Sequence, residues 1–191
     1  MSNCENQFYS AFTGGKPIPS SNAFGLFSQT SNSTPITNTI TESSLIGSGV
    51  GTLSVGANLF RIGDSFRADL SGILSSLNNA TITINVKSNG VILATSLVQT
   101  LSATSNSIWE LALAFTIRRI GGAGTAQILT IGQFYDIKKS NSQQTGFAFD
   151  SENITTFDTT ISNSLEITAK WGSASASNSI FSNLFVLTKV F

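Results

Sequence analysis

Eight carboxylates lie among the strand-like and loop-like stretches of this chain: Asp64, Asp69, Glu110, Asp136, Asp150, Glu152, Asp158 and Glu166. Two of them facing each other across a cleft would suffice for glycoside hydrolysis, one as acid and the other as base or nucleophile. Asp136, Asp150, Glu152 and Asp158 also offer the oxygen ligands that calcium takes, though without the dense spacing of an EF-hand loop. Nothing in their spacing selects a pair, and the plainer reading is of solvated faces and turn caps. The expected catalytic, metal-binding and cofactor-binding sets are therefore empty. No cofactor is expected, ligand-binding residues are left open, and the chain is expected not to be an enzyme.

Absent residue types narrow the chemistry further. The chain contains no histidine. That removes Ser-His-Asp and Cys-His nucleophiles, His-based zinc sites and the commonest general base. Cys4 is the single cysteine, so no intrachain disulfide can form, and one thiol is too few for structural zinc. Gly14-Gly15-Lys16 lacks both the spacing of a phosphate-cradling loop and a strand before it, and Gly121–Gly124 reads as a hairpin turn. Trp109 and Trp171 are candidate sugar-stacking platforms. Each falls on the apolar side of an alternating run, where core packing is expected instead.

The ten basic and ten acidic residues cancel, and only 10% of the chain is charged, against about a quarter in an ordinary soluble domain. Ser, Thr and Asn supply the polar surface. Such a surface repels its own copies weakly, so it permits close self-association. It argues against nucleic acid as a partner, because phosphate binding needs clustered Lys and Arg. The pairs Arg118–Arg119 and Lys138–Lys139 read as solvated strand ends. The opening MSNCENQF lacks the basic and apolar regions of a signal peptide. No apolar run approaches the ~20 residues that cross a bilayer. Synthesis in a cytosol and no membrane span are expected, and the Asn-X-Thr triplets at Asn32, Asn79 and Asn153 are then chance matches.

The elements that would position these residues are strands. Residues 1–22 read as irregular, with GGKPIPSSN at their centre, and Ala23–Ser28 and Ile36–Thr41 as short strands or part of an N-terminal extension. Val50–Val55 and Ser65–Ser71 follow as strands. Ala80–Lys87 puts Ile82, Ile84 and Val86 on one face, and Asn89-Gly90 signals a hairpin returning through Val91–Ser96. Ile108–Arg119 places Trp109, Leu111, Leu113, Phe115 and Ile117 together, an alternation that favours strand over helix despite its Glu, Leu and Ala. Ala126–Tyr135 pairs back. Lys138–Gly146 reads as an exposed loop, Phe157–Ile161 and Ser164–Trp171 as strands, and Leu184–Phe191 as a final packed strand. About eight to ten short strands with no helix and no fixed repeat indicate an antiparallel sandwich or barrel.

Three blocks carry a resemblance: GVGTLSVGANLFRIGDSFRADLSG (49–72), WELALAFTIRRIGGAGTAQI (109–128) and TTFDTTISNSLEITAKWGSASASNSIFSNLFVLTKVF (155–191). They resemble jelly-roll virion structural proteins of large double-stranded DNA viruses and phage fibre or virion proteins, over residues 45–191. The resemblance implies an all-β, antiparallel jelly-roll-like β-sandwich at 45–191, with residues 1–44 as an N-terminal arm or short strands. It implies a non-enzymatic capsid, vertex or fibre-head subunit that acts through homo-oligomeric assembly, as a trimer or a pentamer. Other virion proteins are the implied partners, and the virion its place after synthesis in the host cytoplasm. The alternative is an attachment module that binds a host glycan or surface receptor through loops such as Lys138–Gly146. No catalytic residue belongs to the pattern.

Overall fold

A computed structural model describes residues 24–138 and 142–191, so the N-terminal arm expected at 1–22, Cys4 and Lys139 lie outside the described residues. The described residues contain strands and no helix. In chain order these are β1 (Phe24–Gln29), β2 (Ile36–Thr37), β3 (Ser43–Ser44), β4 (Gly49–Gly51), β5 (Ser54–Val55), β6 (Ser65–Ser76) and β7 (Ala80–Ser88). They continue with β8 (Val91–Thr95), β9 (Gln99–Leu101), β10 (Thr104–Arg119), β11 (Gln127–Ile137), β12 (Gln144–Asn153), β13 (Asn163–Trp171) and β14 (Ser179–Lys189). Every strand pair is antiparallel.

The strands form two sheets. The larger runs β12-β11-β10-β6-β14-β1-β4, with β2 also on β14; the smaller runs β3-β13-β7-β8, with β5 on β13 and β9 on β7. The pairings nest from the outside of the chain inward and alternate between sheets. β1 pairs with β14 in the large sheet and β3 with β13 in the small one; β6 then pairs with β10, and β7 with β8. β11 and β12 form an added hairpin on β10. It reaches the other sheet, where Asn153 Nδ2 donates to the Ile92 carbonyl of β8 at 2.9 Å.

Period-two alternation sends one side of each strand into a shared apolar core, giving a sandwich-like all-β fold. β10 buries Trp109, Leu111, Leu113, Phe115 and Ile117, and β7 buries Ile82, Ile84 and Val86. Trp109 stacks on Phe134 at 5.7 Å between ring centres, and Phe134 on Phe147 at 4.8 Å. Both indoles find acceptors for their N–H: Trp109 donates to the Phe181 carbonyl at 3.1 Å and Trp171 to the Ile36 carbonyl at 2.8 Å. The Asn89-Gly90 hairpin is as expected, with φ of 49° and 78°, the left-handed pair of a type I′ turn.

β14 breaks its register at Ser182, and that break organises the segment before it. Ser182 is fully buried; its Oγ donates to the Leu45 carbonyl at 2.5 Å, and its N–H donates to Ser33 Oγ at 2.9 Å. Gln29 Nε2 donates to the Ser182 carbonyl at 3.2 Å, while Gln29 Oε1 accepts from the Gly47 N–H at 2.8 Å. This polar knot fastens residues 29–47 across the sandwich. Gly72 faces the same break, where a Cβ would stand 1.9 Å from the Phe181 carbonyl oxygen, so β6 and β14 meet only because position 72 has no side chain.

Several expected elements differ. The strand expected at Val50–Val55 is two, β4 and β5, which join different sheets. Of Ile36–Thr41 only Ile36–Thr37 pairs, and Ser65–Ser71 is the first part of a longer β6. Phe157–Ile161 is no strand: the Asn153 side-chain carbonyl caps the N–H groups of Thr155, Thr156 and Phe157, turning the chain. The loop expected at Lys138–Gly146 ends at Gln143, because Gln144 opens β12. β12 escapes notice in the sequence because Phe147 and Phe149 pack inward while Gly, Ala and acids face out. Leu184–Phe191 is packed as expected up to Lys189, but Val190 and Phe191 are exposed.

Candidate functional site

The strands scatter the eight carboxylates and occupy most of them. Asp64 is buried where β6 begins; its Oδ1 meets Lys189 Nζ at 2.7 Å and its Oδ2 accepts the Arg61 N–H at 2.9 Å. Asp69 is held by Arg67 Nε at 3.0 and 3.1 Å on the exposed side of β6. Glu110 accepts the Tyr135 hydroxyl, and that hydrogen bond, with burial beside it, raises the tyrosine pKa. Asp136 points inward and accepts from Thr145 Oγ1 at 2.6 Å, whereas Glu152 faces out against Arg118 at 2.6 Å and Gln127. Asp150 is exposed on β12, and Glu166 lies opposite Lys87 in register.

The four acids considered for calcium are thereby divided. Asp136 lies on the inner side of β11, Asp150 and Glu152 on the outer side of β12, and Asp158 in the turn after it. Asp158 Oδ1 accepts the Thr160 hydroxyl at 2.6 Å and its N–H at 2.7 Å, which lowers its pKa. Among the described residues no group of three or more His, Cys, Asp or Glu is placed to hold a metal ion. Trp109 and Trp171 are 0% and 1% exposed, so neither can stack on a sugar. Of the loop proposed for attachment, residues 139–141 lie outside the described residues.

The most perturbed acid is one that the sequence did not single out. Glu42 Oε1 accepts from Lys87 Nζ at 2.7 Å, from Asn85 Nδ2 at 2.9 Å and from the Thr168 hydroxyl. Burial alone would raise its pKa; hydrogen bonds from Lys87, Thr168 and Asn85, with the Lys87 charge, outweigh burial and hold it at about 2. The partners come from β7 and β13, so no local pattern announces the cluster. It staples the chain before β3 onto the outer face of the small sheet. An unfolded glutamate titrates near pH ~4.3, so this stabilisation is complete above that pH and disappears as pH falls toward 2. Thermal melts from pH 6 to pH 2 should show the wild type losing stability over that window and Glu42→Gln losing less of it. Parallel curves for the two proteins would contradict the assignment.

Two spaces are large enough to consider as binding sites. An apolar cavity of about 60 Å³ lies between the sheets, walled by Phe60, Phe66, Phe115, Phe157 and Leu165, with no charged group on its wall. A hollow of about 290 Å³ lies on the outside of the large sheet, between Asp69, Ser71, Glu110, Ala112 and Leu184. Neither brings together an acid, a base and a nucleophile. Among the described residues no helix is long and apolar enough to cross a membrane. The chain matches no family model, no curated protein and no solved structure. What the geometry offers is contact surface.

Proposed function

We propose that this chain is a non-enzymatic structural subunit of a virion, a capsid, vertex or fibre-head jelly roll that works by homo-oligomeric assembly. The observation that carries the reading is the nesting of strand pairs. β1 with β14, β3 with β13, β6 with β10 and β7 with β8 alternate between two sheets, as when one long hairpin is rolled up. That is the strand order of a jelly roll, an architecture common in capsids. The β11–β12 hairpin is an addition that widens the large sheet. Engagement of the carboxylates by Lys, Arg, Tyr and Thr partners, and the zero net charge, suit a subunit whose work is packing. On this reading the chain is made in the host cytoplasm and ends in the particle beside other virion proteins.

Light scattering on the purified chain, with class averages from negative-stain electron microscopy, tests this. A single closed oligomer is expected, three-fold for a fibre head or five-fold for a vertex. A stable monomer across micromolar concentrations overturns the assembly role.

A further inference from the structure

The two outward faces of the sandwich differ in chemistry, and the difference locates a contact. The small sheet shows water Thr81, Thr83 and Lys87 from β7 and Ser164, Glu166 and Lys170 from β13. That is the polar exterior an antiparallel sheet ordinarily presents. The large sheet does not. Phe181, Ile73, Ile108 and Ile137 stand side by side in register across β14, β6, β10 and β11, making an unbroken apolar row on its outside. Beside the row lies the 290 Å³ hollow, floored by the small residues Ser71 and Ala112 and edged by Leu184. Ile108 and Leu184 are 45% and 47% exposed.

We infer that this outer face of the large sheet, centred on Ile108 and Ala112, is where a second copy of the same chain packs. The inference rests on the assembly reading above and names its surface. Charge favours a copy over other occupants. The two acids at the hollow are already matched, Asp69 by Arg67 and Glu110 by Tyr135, so the patch is close to neutral and two copies meet without repulsion. A phosphate-bearing partner would need a cluster of free Lys and Arg, whereas Arg67, beside the hollow, is bound to Asp69. Size agrees. Four strands at ~4.8 Å spacing and four outward rows ~6.8 Å apart give about 550 Å² per copy, so a pair buries roughly 1,100 Å². Specific interfaces begin near ~1,000 Å² when complementarity is good. The hollow gives a side chain of the partner copy a place to enter.

Three chains separate failure of the face from failure of assembly. Ile108→Lys and Ala112→Arg put a charge on the apolar face, and Thr83→Arg puts one on the polar face as control. Light scattering should show the first two at monomer mass where wild type and Thr83→Arg are oligomeric, a loss of at least 100-fold in association. A wild type that is itself monomeric ends the assembly reading, and this inference with it. An oligomer that survives Ile108→Lys and Ala112→Arg overturns only the face. To guard against misfolding, maleimide labelling of Cys4→Ser/Ala112→Cys is compared with Cys4→Ser/Thr83→Cys. The first should label at least tenfold more slowly in the oligomer than after dilution, and the second equally fast in both; equal rates at position 112 overturn the inference.

Discussion

Deleting residues 184–191 should leave no folded protein. Those residues are the second half of β14, which hydrogen-bonds to β6 on one side and β1 on the other. Removing them takes Phe185 and Leu187 out of the core, at ~1.5–3 kcal/mol each, and strips both neighbours of their ladder partners. It also frees Asp64, buried at 7% exposure, from Lys189. Against a total stability of ~5–15 kcal/mol the loss is decisive. Expression should yield aggregated chain, and any soluble fraction should lack a cooperative thermal transition. Removing only Val190 and Phe191, which are exposed, should leave a folded protein. A cooperative melt from the 183-residue truncation would show that β14 does not close the sheet.

Trp109→Ala should be the most damaging single substitution in the large sheet. The indole is fully buried, stacks on Phe134, and through it joins Phe147 on the added hairpin. Truncation leaves a large cavity and orphans the Phe181 carbonyl that the indole N–H now satisfies. A cost of ~3–5 kcal/mol is expected, a drop of roughly 10–15 °C in melting temperature for a chain of this size. Trp109→Phe keeps an aromatic stack and loses the donor, so it should cost about 1–2 kcal/mol. Calorimetry distinguishes the two. Equal melting temperatures for Trp109→Phe and Trp109→Ala would mean that the hydrogen bond matters and the stack does not.

Both expectations concern residues whose burial is legible in the chain. The alternation in 108–119, in 80–87 and in 164–171 predicts strands and their inner faces, and Asn89-Gly90 predicts its hairpin. β12 is less legible because its inward Phe147 and Phe149 are separated by Ala and flanked by polar residues. Phe157–Ile161 misleads in the opposite direction: it carries strand-forming residues, but the Asn153 side chain satisfies three successive N–H groups and holds the chain in a turn. Glu42 is invisible for a different reason. Its partners Lys87 and Thr168 are far along the chain and meet it only when both sheets are formed.

The sequence by itself determined that this protein is built of antiparallel strands, that histidine chemistry is absent, and that its last strand is packed. A period of two reports which side of a strand is apolar whatever the strand pairs with. The tertiary structure decided the rest, because pairing partners are set by long-range closure rather than local pattern. It set β14 between β1 and β6, split Val50–Val55 between two sheets, and dispersed the carboxylates into separate ion pairs and turn caps. It also gave the outward residues of β6, β10, β11 and β14 a meaning that no one strand carries. Ile73, Ile108, Ile137 and Phe181 are isolated apolar residues in the chain, and only the register of four strands aligns them into one face.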